Sequence, residues 1–94
     1  MNLEWSALAL ADLDRFAAFL HDRHPHLAKI IVAEIKSKAI ILEQHPLIGR
    51  AIRGRAEYRD VVLEVAKAKY VFRYGFDGEH LVMLRVFHSR ERRD

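Results

Sequence analysis

The spacing of apolar residues predicts a helical first half of the chain and a β-rich second half. Leu3-Glu4-Trp5 alternates apolar and polar residues, as an edge strand does, and Ser6 follows at an N-cap position. An amphipathic helix over residues 7–23 is predicted, because apolar residues recur there at steps of three and four: Leu10, Leu13, Phe16, Ala17 and Leu20. The opposite, solvent-facing side is expected to carry Asp12, Asp14, Arg15 and Asp22.

A second helix is predicted to begin at Pro25, since the residue before proline avoids helical geometry and proline suits a first helical turn. One face of this helix is expected to be Ala28, Ile31, Ile35, Ala39 and Leu42. Its apolar stripe is wider than one face requires, because it also includes Leu27, Ile30, Ile40 and Ile41. The helix is therefore expected either to pack on two sides or to meet a partner chain. His45-Pro46 and Gly49 end it, which gives a helical hairpin.

After Gly49 the apolar period shortens from 3.6 residues to 2. This change predicts strands at residues 61–65, 70–74 and 81–87, with a hairpin turn at Asp77-Gly78. The element order is then β-α-α-β-β-β. We expect an α+β fold in which the N-terminal helical hairpin packs on one face of a small antiparallel sheet, as a single domain over residues 1–94.

The pairing of the last two strands follows from the cost of burying an unpaired guanidinium group. The favoured register places Tyr70, Phe72 and Tyr74 on one apolar face together with Val82, Leu84 and Val86. The opposite face then carries Lys69, Val71, Arg73, Met83, Arg85 and Phe87.

Composition predicts a folded chain with a thin core. The chain has 94 residues, of which 51% are hydrophobic and 31% charged, so a partner that completes the burial of apolar surface is expected. No apolar run approaches the roughly 20 residues of a membrane span, and no signal-peptide pattern is visible at the start. The absence of cysteine excludes a disulfide framework and a thiol nucleophile, and it suits a cytoplasmic protein.

Positive charge is concentrated in the second half of the chain. The net charge of +3 divides into a balance of −1 over residues 1–47 and +4 over residues 48–94. Two groups of arginines cause this asymmetry: Arg50, Arg53, Arg55 and Arg59, and then Arg90, Arg92 and Arg93. An anionic partner is therefore predicted, either nucleic acid or an acidic protein segment, with simple solubilisation as the alternative.

Candidate chemistry is limited to basic residues near a histidine. No two of the six histidines have the i, i+4 spacing of a zinc helix and no phosphate-binding glycine loop is present, so neither a metal nor a cofactor is expected. Five basic residues are expected to group near His88, namely Arg59, Lys69, Arg73, Arg85 and Arg90. Such a group is typical of the active site of a metal-free ribonuclease, of a surface that binds an acidic protein segment, or of a solvated sheet face without a ligand.

An ordered set of motifs runs through the whole chain. The set comprises Leu3-Glu4-Trp5-Ser6, Ala11-x-Leu13, His45-Pro46-Leu47-Ile48-Gly49-Arg50, Tyr58-Arg59, Lys69-Tyr70-Val71-Phe72-Arg73-Tyr74 and Leu84-Arg85-Val86-Phe87-His88-Ser89-Arg90. In these motifs and in their order the sequence resembles the RelE/ParE superfamily, the toxin halves of bacterial type II toxin–antitoxin pairs. The resemblance implies a growth-inhibiting toxin that is neutralised by a cognate antitoxin, in some systems with a role in plasmid stabilisation.

Two activities are known in that superfamily. RelE-like members cut messenger RNA on the ribosome, whereas ParE-like members are associated with poisoning DNA gyrase. The nuclease set is matched only in part: Arg59 and Arg90 correspond, Lys69 stands where arginine is usual, and no tyrosine follows Arg90. We therefore interpret the chain as ParE-like, a target-binding toxin directed at gyrase.

Two alternatives accompany this interpretation. One is a RelE-type, ribosome-dependent endoribonuclease that uses Arg59, Lys69, His88 and Arg90, and the other is a non-toxic member that only binds its antitoxin. In each case the residues expected to contact the target or the antitoxin are Arg59, Lys69, Val71, Arg73, Met83, Arg85, Phe87 and Arg90.

Overall fold

The computed structural model describes residues 2–91, so Arg92 and Arg93 of the basic C-terminal group lie outside the described residues. Within that range the helices are α1 (Ala7–His21), α2 (Pro25–Ala39) and α3 (Ile41–Gln44). The strands are β1 (Leu3–Trp5), β2 (Arg50–Ile52), β3 (Arg55–Val65), β4 (Ala68–Phe76) and β5 (Leu81–His88). None of the helices described has the length and apolar character needed to cross a lipid bilayer.

The predicted helical hairpin is confirmed, with changes at its ends. The Ser6 hydroxyl oxygen accepts a hydrogen bond from the Ala9 N–H at 3.0 Å, which is the interaction of an N-cap. Helix α2 begins at Pro25, where the missing N–H leaves no hydrogen bond unmade. Helix α1 ends at His21 rather than at residue 23, and the second predicted helix divides at Ile40 into α2 and the single turn of α3.

The five strands form one mixed sheet in the order β1-β5-β4-β3-β2. The three long strands β3, β4 and β5 are antiparallel as predicted, but β1 pairs with β5 in parallel, from Leu3 opposite Leu81 to Trp5 opposite Met83. The sheet is therefore not antiparallel throughout. Strand β2 was not predicted, because its three residues are too few to show an alternation and its register with β3 shifts between Ala51 and Ile52.

Helices and sheet enclose one apolar core. On the sheet side the predicted aromatic residues of β4 are all buried, namely Tyr70, Phe72 and Tyr74. On the helix side the predicted face of the second helix is also buried, namely Ala28, Ile31, Ile35, Ala39 and Leu42. The stripe of α1 is rotated from the predicted one, because Ala9 is fully buried while Leu10 is 43% exposed.

The residues that widen the apolar stripe of the second helix lie at the surface. All four are exposed: Leu27, Ile30, Ile40 and Ile41. A helix packed on two sides would bury them. Within the described chain this side of the hairpin is therefore uncovered.

A register shift in the β4–β5 hairpin reverses part of the predicted face assignment. Phe72 lies opposite Val86 and Arg73 opposite Arg85, as the favoured register requires, but Tyr74 lies opposite Met83. Strand β5 thus has one extra residue at this point, which turns its first half over. Met83 and Leu81 enter the core, whereas Val82 and Leu84, predicted to be inside, are only partly buried on the other face. The prediction that Met83 lies on the outer face was wrong.

Helix α1 covers the edge of β5 that β1 leaves unpaired. Strand β1 ends at Trp5, and Ser6 then donates its N–H to the Met83 carbonyl and its hydroxyl to the Leu84 carbonyl, both at 3.0 Å. Six residues farther along the chain, a carboxylate oxygen of Asp12 accepts the Val86 N–H at 2.8 Å. Side chains of the helix therefore replace the missing neighbouring strand.

Asp12 is buried, although its position on the polar side of α1 predicted exposure. It is 1% exposed and accepts hydrogen bonds from Arg85 (2.8 and 3.0 Å) and Arg15 (2.6 Å) in addition to Val86. Burial by itself raises the pKa of Asp12, but the hydrogen bonds from Arg85, Arg15 and the Val86 N–H outweigh burial and hold the pKa below its usual value. The polar side of the helix meets a sheet edge rather than solvent, which is why the prediction failed.

Glu91 extends the same arrangement toward the end of the described chain. Its carboxylate accepts the His88 N–H at 2.6 Å and two hydrogen bonds from Arg15, at 2.9 and 3.1 Å. Val86 and His88 are alternate residues of β5, so the two N–H groups that face away from β4 here are both bonded to carboxylates.

Replacing Asp12 by asparagine is expected to lower the free energy of unfolding by about 2–3 kcal/mol. Removing one partner of a buried ion pair costs roughly 3–5 kcal/mol, and the cost is smaller here because Arg85 and Arg15 are partly exposed and can recover water. Urea unfolding followed by circular dichroism measures the change.

Asp14→Asn is the matched control, because Asp14 is exposed on the same helix and its change is expected to stay within about 0.5 kcal/mol. Since the pKa of Asp12 is lower in the folded state than in the unfolded state, its contribution is present above about pH 4 and is lost as the pH falls further. The wild-type protein should therefore lose stability on acidification more steeply than Asp12→Asn. Equal stability of the two Asn variants would contradict the account.

Candidate functional site

Five of the predicted contact residues lie side by side on the outer face of the sheet, away from the helices. Val71 lies opposite Phe87 and Arg73 opposite Arg85, and Lys69 precedes them on β4, opposite Glu64 of β3. We refer to Lys69, Val71, Arg73, Arg85 and Phe87 as the outer-face patch. The sequence prediction of a mixed apolar and basic face holds for these five residues.

The two arginines of the outer-face patch are held by carboxylates. Arg73 donates to both oxygens of Asp60 at 2.9 and 3.1 Å, and Arg85 donates in the same way to Asp12. Hydrogen bonding to these partners raises the pKa of both guanidinium groups. Each pair has bidentate geometry, which fixes the arginine side chain as well as balancing its charge.

Phe87 lies beneath both guanidinium groups. The central carbon of Arg85 is 4.8 Å from the Phe87 ring centre and that of Arg73 is 5.5 Å away, within the range of cation–π attraction. Val71 and Phe87 are consequently buried although no helix covers this face. The outer-face patch is thus a closed, ordered surface in which Lys69 is the exposed cation.

Arg59 and Met83 do not belong to the patch. Arg59 lies opposite Tyr74 and therefore on the inner face, where its guanidinium donates to the Gly49 carbonyl at 2.8 Å. Met83 is fully buried in the core. Both residues support the fold at these positions, and neither presents its side chain beside Arg73.

The contact of Arg59 is part of a corner that joins α3 to β2. The Tyr74 hydroxyl donates to the Pro46 carbonyl at 2.8 Å and accepts the Gly49 N–H at 2.9 Å. A Cβ atom at Gly49 would lie 2.8 Å from the Tyr74 hydroxyl and 2.9 Å from the Asp60 carbonyl, closer than packed atoms approach. Glycine is therefore required at this corner, which explains the Pro-x-x-Gly-Arg pattern seen in the sequence.

His88 and Arg90 lie at the opposite end of the sheet, beside a groove of about 560 Å³. The groove runs between the helical hairpin and the β3–β4 turn, and its apolar wall consists of Phe16, Phe19, Leu20, Leu27 and Ile31. Its polar rim consists of Arg15, His88, Arg90 and Glu91. We refer to these residues together as the terminal groove. Phe19 is 66% exposed there, so the apolar wall faces solvent.

The rim of the terminal groove is ordered by short contacts. The His88 ring packs edge-on against Tyr70, with ring centres 5.2 Å apart, and its Nδ1 accepts the Arg90 N–H at 3.1 Å. Nε2 therefore carries the proton when the ring is neutral. Burial, and then the nearby Glu91 carboxylate, raises the pKa of Tyr70, so its phenol stays protonated at neutral pH.

Of the four residues proposed from sequence for a nuclease, Arg59 lies apart, whereas the Ser89 N–H donates to the Lys69 carbonyl at 2.9 Å and so places Lys69 at the same end of the sheet as His88 and Arg90. Lys69 is on the outer face, whereas His88 lies opposite Tyr70 on the inner side. Arg59 is opposite Tyr74, four strand residues from Tyr70, or roughly 13 Å at about 3.3 Å per residue. Within residues 2–91, no three His, Asp or Glu side chains are grouped so as to hold a metal ion.

Two functional features were missed by sequence reasoning. The terminal groove was not predicted. The available signal was Phe19, an aromatic residue three positions after Phe16 that the apolar stripe of α1 does not need for its core contacts. The role of Asp12 had no signal in the sequence pattern, because any polar residue at that position reads as solvent-facing.

Comparisons with known proteins agree on one family. A family model described as the ParE toxin of the type II toxin–antitoxin system parDE matches residues 3–93. Toxin RelE3 of Caulobacter vibrioides is 30% identical over 92 residues, which cover 98% of each chain.

Two solved toxin–antitoxin systems have a similar fold. The chromosomal ParDE system from P. aeruginosa contains a chain that superposes with a TM-score of 0.75 at 22% identity, covering 94% of this chain and 95% of the other. The RelBE2 toxin–antitoxin complex from Mycobacterium tuberculosis gives a TM-score of 0.63 at 24% identity, with coverage of 93% and 95%. This likeness confirms the predicted α+β fold, to whose predicted element order the structure adds α3 and β2.

Gly49→Ala is expected to lower the free energy of unfolding by about 1–3 kcal/mol, the range found for overpacked sites, because Tyr74 and the Asp60 carbonyl have to move apart. Gly75→Ala is the matched control, since a Cβ there would meet its nearest atom at an ordinary 3.5 Å, and its effect should stay within about 0.5 kcal/mol. Thermal or urea unfolding measures both. If the two variants were equally stable, the close packing at the corner would be refuted.

Proposed function

This chain belongs to the ParE toxin family of type II toxin–antitoxin systems, and on that premise we propose that it arrests growth by binding DNA gyrase. The membership itself rests on the match over residues 3–93 and on the 30% identity to a RelE toxin across nearly the whole chain. The choice of gyrase follows the ParE-like character of the sequence. Gyrase acts in the bacterial cytoplasm, so the toxin is proposed to act there as well.

The observation that favours a target-binding toxin over an RNA-cutting one is that Arg59 lies apart from the other nuclease candidates and that Lys69 and His88 lie on opposite faces of the sheet. Transfer of a phosphoryl group needs charge-stabilising and proton-transferring groups around one reacting atom. Here Arg59 is bonded to the Gly49 carbonyl, Lys69 is on the outer face, and His88 is at the far end of the inner face. Such an arrangement supports recognition of a protein surface rather than chemistry.

Induced expression in a bacterial host without the antitoxin tests this proposal. We expect growth arrest, activation of a DNA-damage reporter and intact messenger RNA, because a poisoned gyrase leaves DNA breaks. The variant His88→Ala serves as the internal comparison, since His88 is the proton-transfer candidate of the nuclease alternative.

Messenger RNA cut during translation, with the cutting abolished in His88→Ala, would contradict the gyrase proposal and favour the ribosome-dependent endoribonuclease. Normal growth with soluble, folded protein would favour a member that only binds its antitoxin.

We further propose that the antitoxin occupies the terminal groove with an apolar segment, and that Arg90 contacts an acidic residue of that segment. Phe19 and Leu27 both line the groove and are both exposed, and exposed apolar surface of this kind marks a protein interface. Lys69 and Arg90 are exposed cations without an ion-pair partner in the described chain, so they keep the contact roles expected from sequence. The buried members of the outer-face patch then have a structural role and support the surface from which Lys69 projects.

Phe19→Asp is expected to weaken antitoxin binding by about thirtyfold or more, the effect of losing a 2 kcal/mol interface anchor. Leu8→Asp is the matched control, because Leu8 is on the same helix with 63% exposure, close to the 66% of Phe19, but lies outside the groove. Titration calorimetry with the antitoxin encoded beside the toxin measures both affinities. An equal loss in the two variants, or none in Phe19→Asp, would refute the groove as the antitoxin site.

A further inference from the structure

The hairpin formed by β2 and β3 carries a basic group that neither the outer-face patch nor the terminal groove uses. Arg50, Arg53 and Arg55 lie within six residues of one another, and all three are exposed. Glu57 is the only carboxylate between Arg50 and Arg59. We refer to Arg50, Arg53 and Arg55 as the arginine tip.

Two residues of the arginine tip, Arg53 and Arg55, lie beyond the part of β3 that pairs with β4, whereas Arg50 lies opposite Asp60 within the sheet. Pairing of β3 with β4 begins at Tyr58 opposite Gly75, and of residues 55–57 only Arg55 has a partner in β2, because the register shifts between Ala51 and Ile52. The turn is tight, because Ile52 lies opposite Arg55 and Gly54 adopts a left-handed conformation with φ of +80°. Arg53 and Arg55 therefore lie at the turn of a short two-stranded ribbon, beyond the residues of β3 that pair with β4.

The base of this ribbon is held rigidly. The Arg59 guanidinium donates to the Gly49 carbonyl, and the Tyr74 hydroxyl bonds both Gly49 and Pro46. The charges at the tip are thus presented from a fixed corner and not from a mobile loop.

The charges of the arginine tip are available, in contrast to those of the outer-face patch. Within residues 2–91 none of its three guanidinium groups forms an ion pair, whereas Arg73 and Arg85 are each held by a carboxylate. The guanidinium of Arg55 lies 5.6 Å from the Tyr58 ring centre, which orients it without neutralising it. Three unpaired guanidiniums on one ribbon need an anionic ligand or full hydration.

We propose that the arginine tip binds the phosphate backbone of duplex DNA. Duplex DNA carries one negative charge per about 1.7 Å of its axis, so a ribbon with three guanidiniums meets several phosphates together, and a two-stranded ribbon has the width that its major groove admits. The choice of DNA over another polyanion rests on the proposed function, because DNA is the polyanion that gyrase holds. The tip then anchors the toxin to the DNA beside its protein target.

The test is the salt dependence of binding between the full-length toxin and a short fluorescein-labelled DNA duplex, followed by fluorescence anisotropy. Each neutralised phosphate contributes about 0.9 to the slope of log affinity against log salt concentration, so three contacts give a slope of about −2.7. In the double variant Arg53→Ala/Arg55→Ala the slope should be shallower by about 1.8. Circular dichroism melting confirms that the variant is folded.

The matched control is Arg23→Ala/Lys29→Ala, which removes the same charge from two exposed residues of the helical hairpin, of which Arg23 lies over the Phe19 ring. Its slope should equal that of the wild type. Equal slopes for the wild type and Arg53→Ala/Arg55→Ala would overturn the proposal. Binding of labelled polyglutamate is measured in parallel. If Arg53→Ala/Arg55→Ala lost affinity for polyglutamate but not for DNA, the proposal would also be overturned and the tip would be assigned to an acidic protein partner.

The assay contains no gyrase, so its outcome is independent of the proposed target. A shallower slope in the double variant supports the DNA contact even if gyrase is not inhibited. An unchanged slope together with gyrase inhibition overturns the DNA contact alone.

Discussion

Asp12 joins helix α1 to the free edge of strand β5, and both faces of the sheet depend on that contact. In the described chain no strand pairs with this edge along the C-terminal half of β5. Without Asp12 the Val86 N–H would be left without a partner and open to pairing with other chains. The Asp12 carboxylate accepts the Val86 N–H and at the same time fixes Arg85, which lies over Phe87 on the outer face. One buried charge therefore sets the position of the helical hairpin and orders the surface behind it.

This use of charge inside the fold determines which surfaces are left for partners. Asp60 balances the charge of Arg73 and Asp12 that of Arg85, so the outer-face patch has little unpaired charge. Within residues 2–91, three unpaired guanidinium groups instead lie at the arginine tip, and the exposed Phe19 and Leu27 line the terminal groove at the other end. Two separated surfaces of different chemistry suit a toxin that has both a target and an antitoxin to bind.

The local sequence pattern predicted the features that depend on residues close together in the sequence. It failed for features that are determined by contacts between residues far apart in the sequence. Ser6 and Pro25 mark helix starts by their own chemistry, and the alternation along β4 was enough to place its aromatic residues in the core. Met83 was misplaced because one extra residue in β5 reverses its faces, and nothing in the sequence marks that bulge. Ala66 adopts a left-handed backbone conformation, which in turns is usually adopted by glycine or asparagine. The β3–β4 turn was therefore not predictable from its residues.

We propose that this fold acts by holding a protein target and not by cutting RNA. The most direct test is to mix the purified toxin with purified DNA gyrase, ATP and closed circular DNA, and to measure cleaved DNA after protein denaturation. We expect cleaved DNA to accumulate with toxin concentration and prior addition of the antitoxin to abolish the effect. Normal supercoiling by gyrase in the presence of excess folded toxin, with no cleaved DNA, would contradict it.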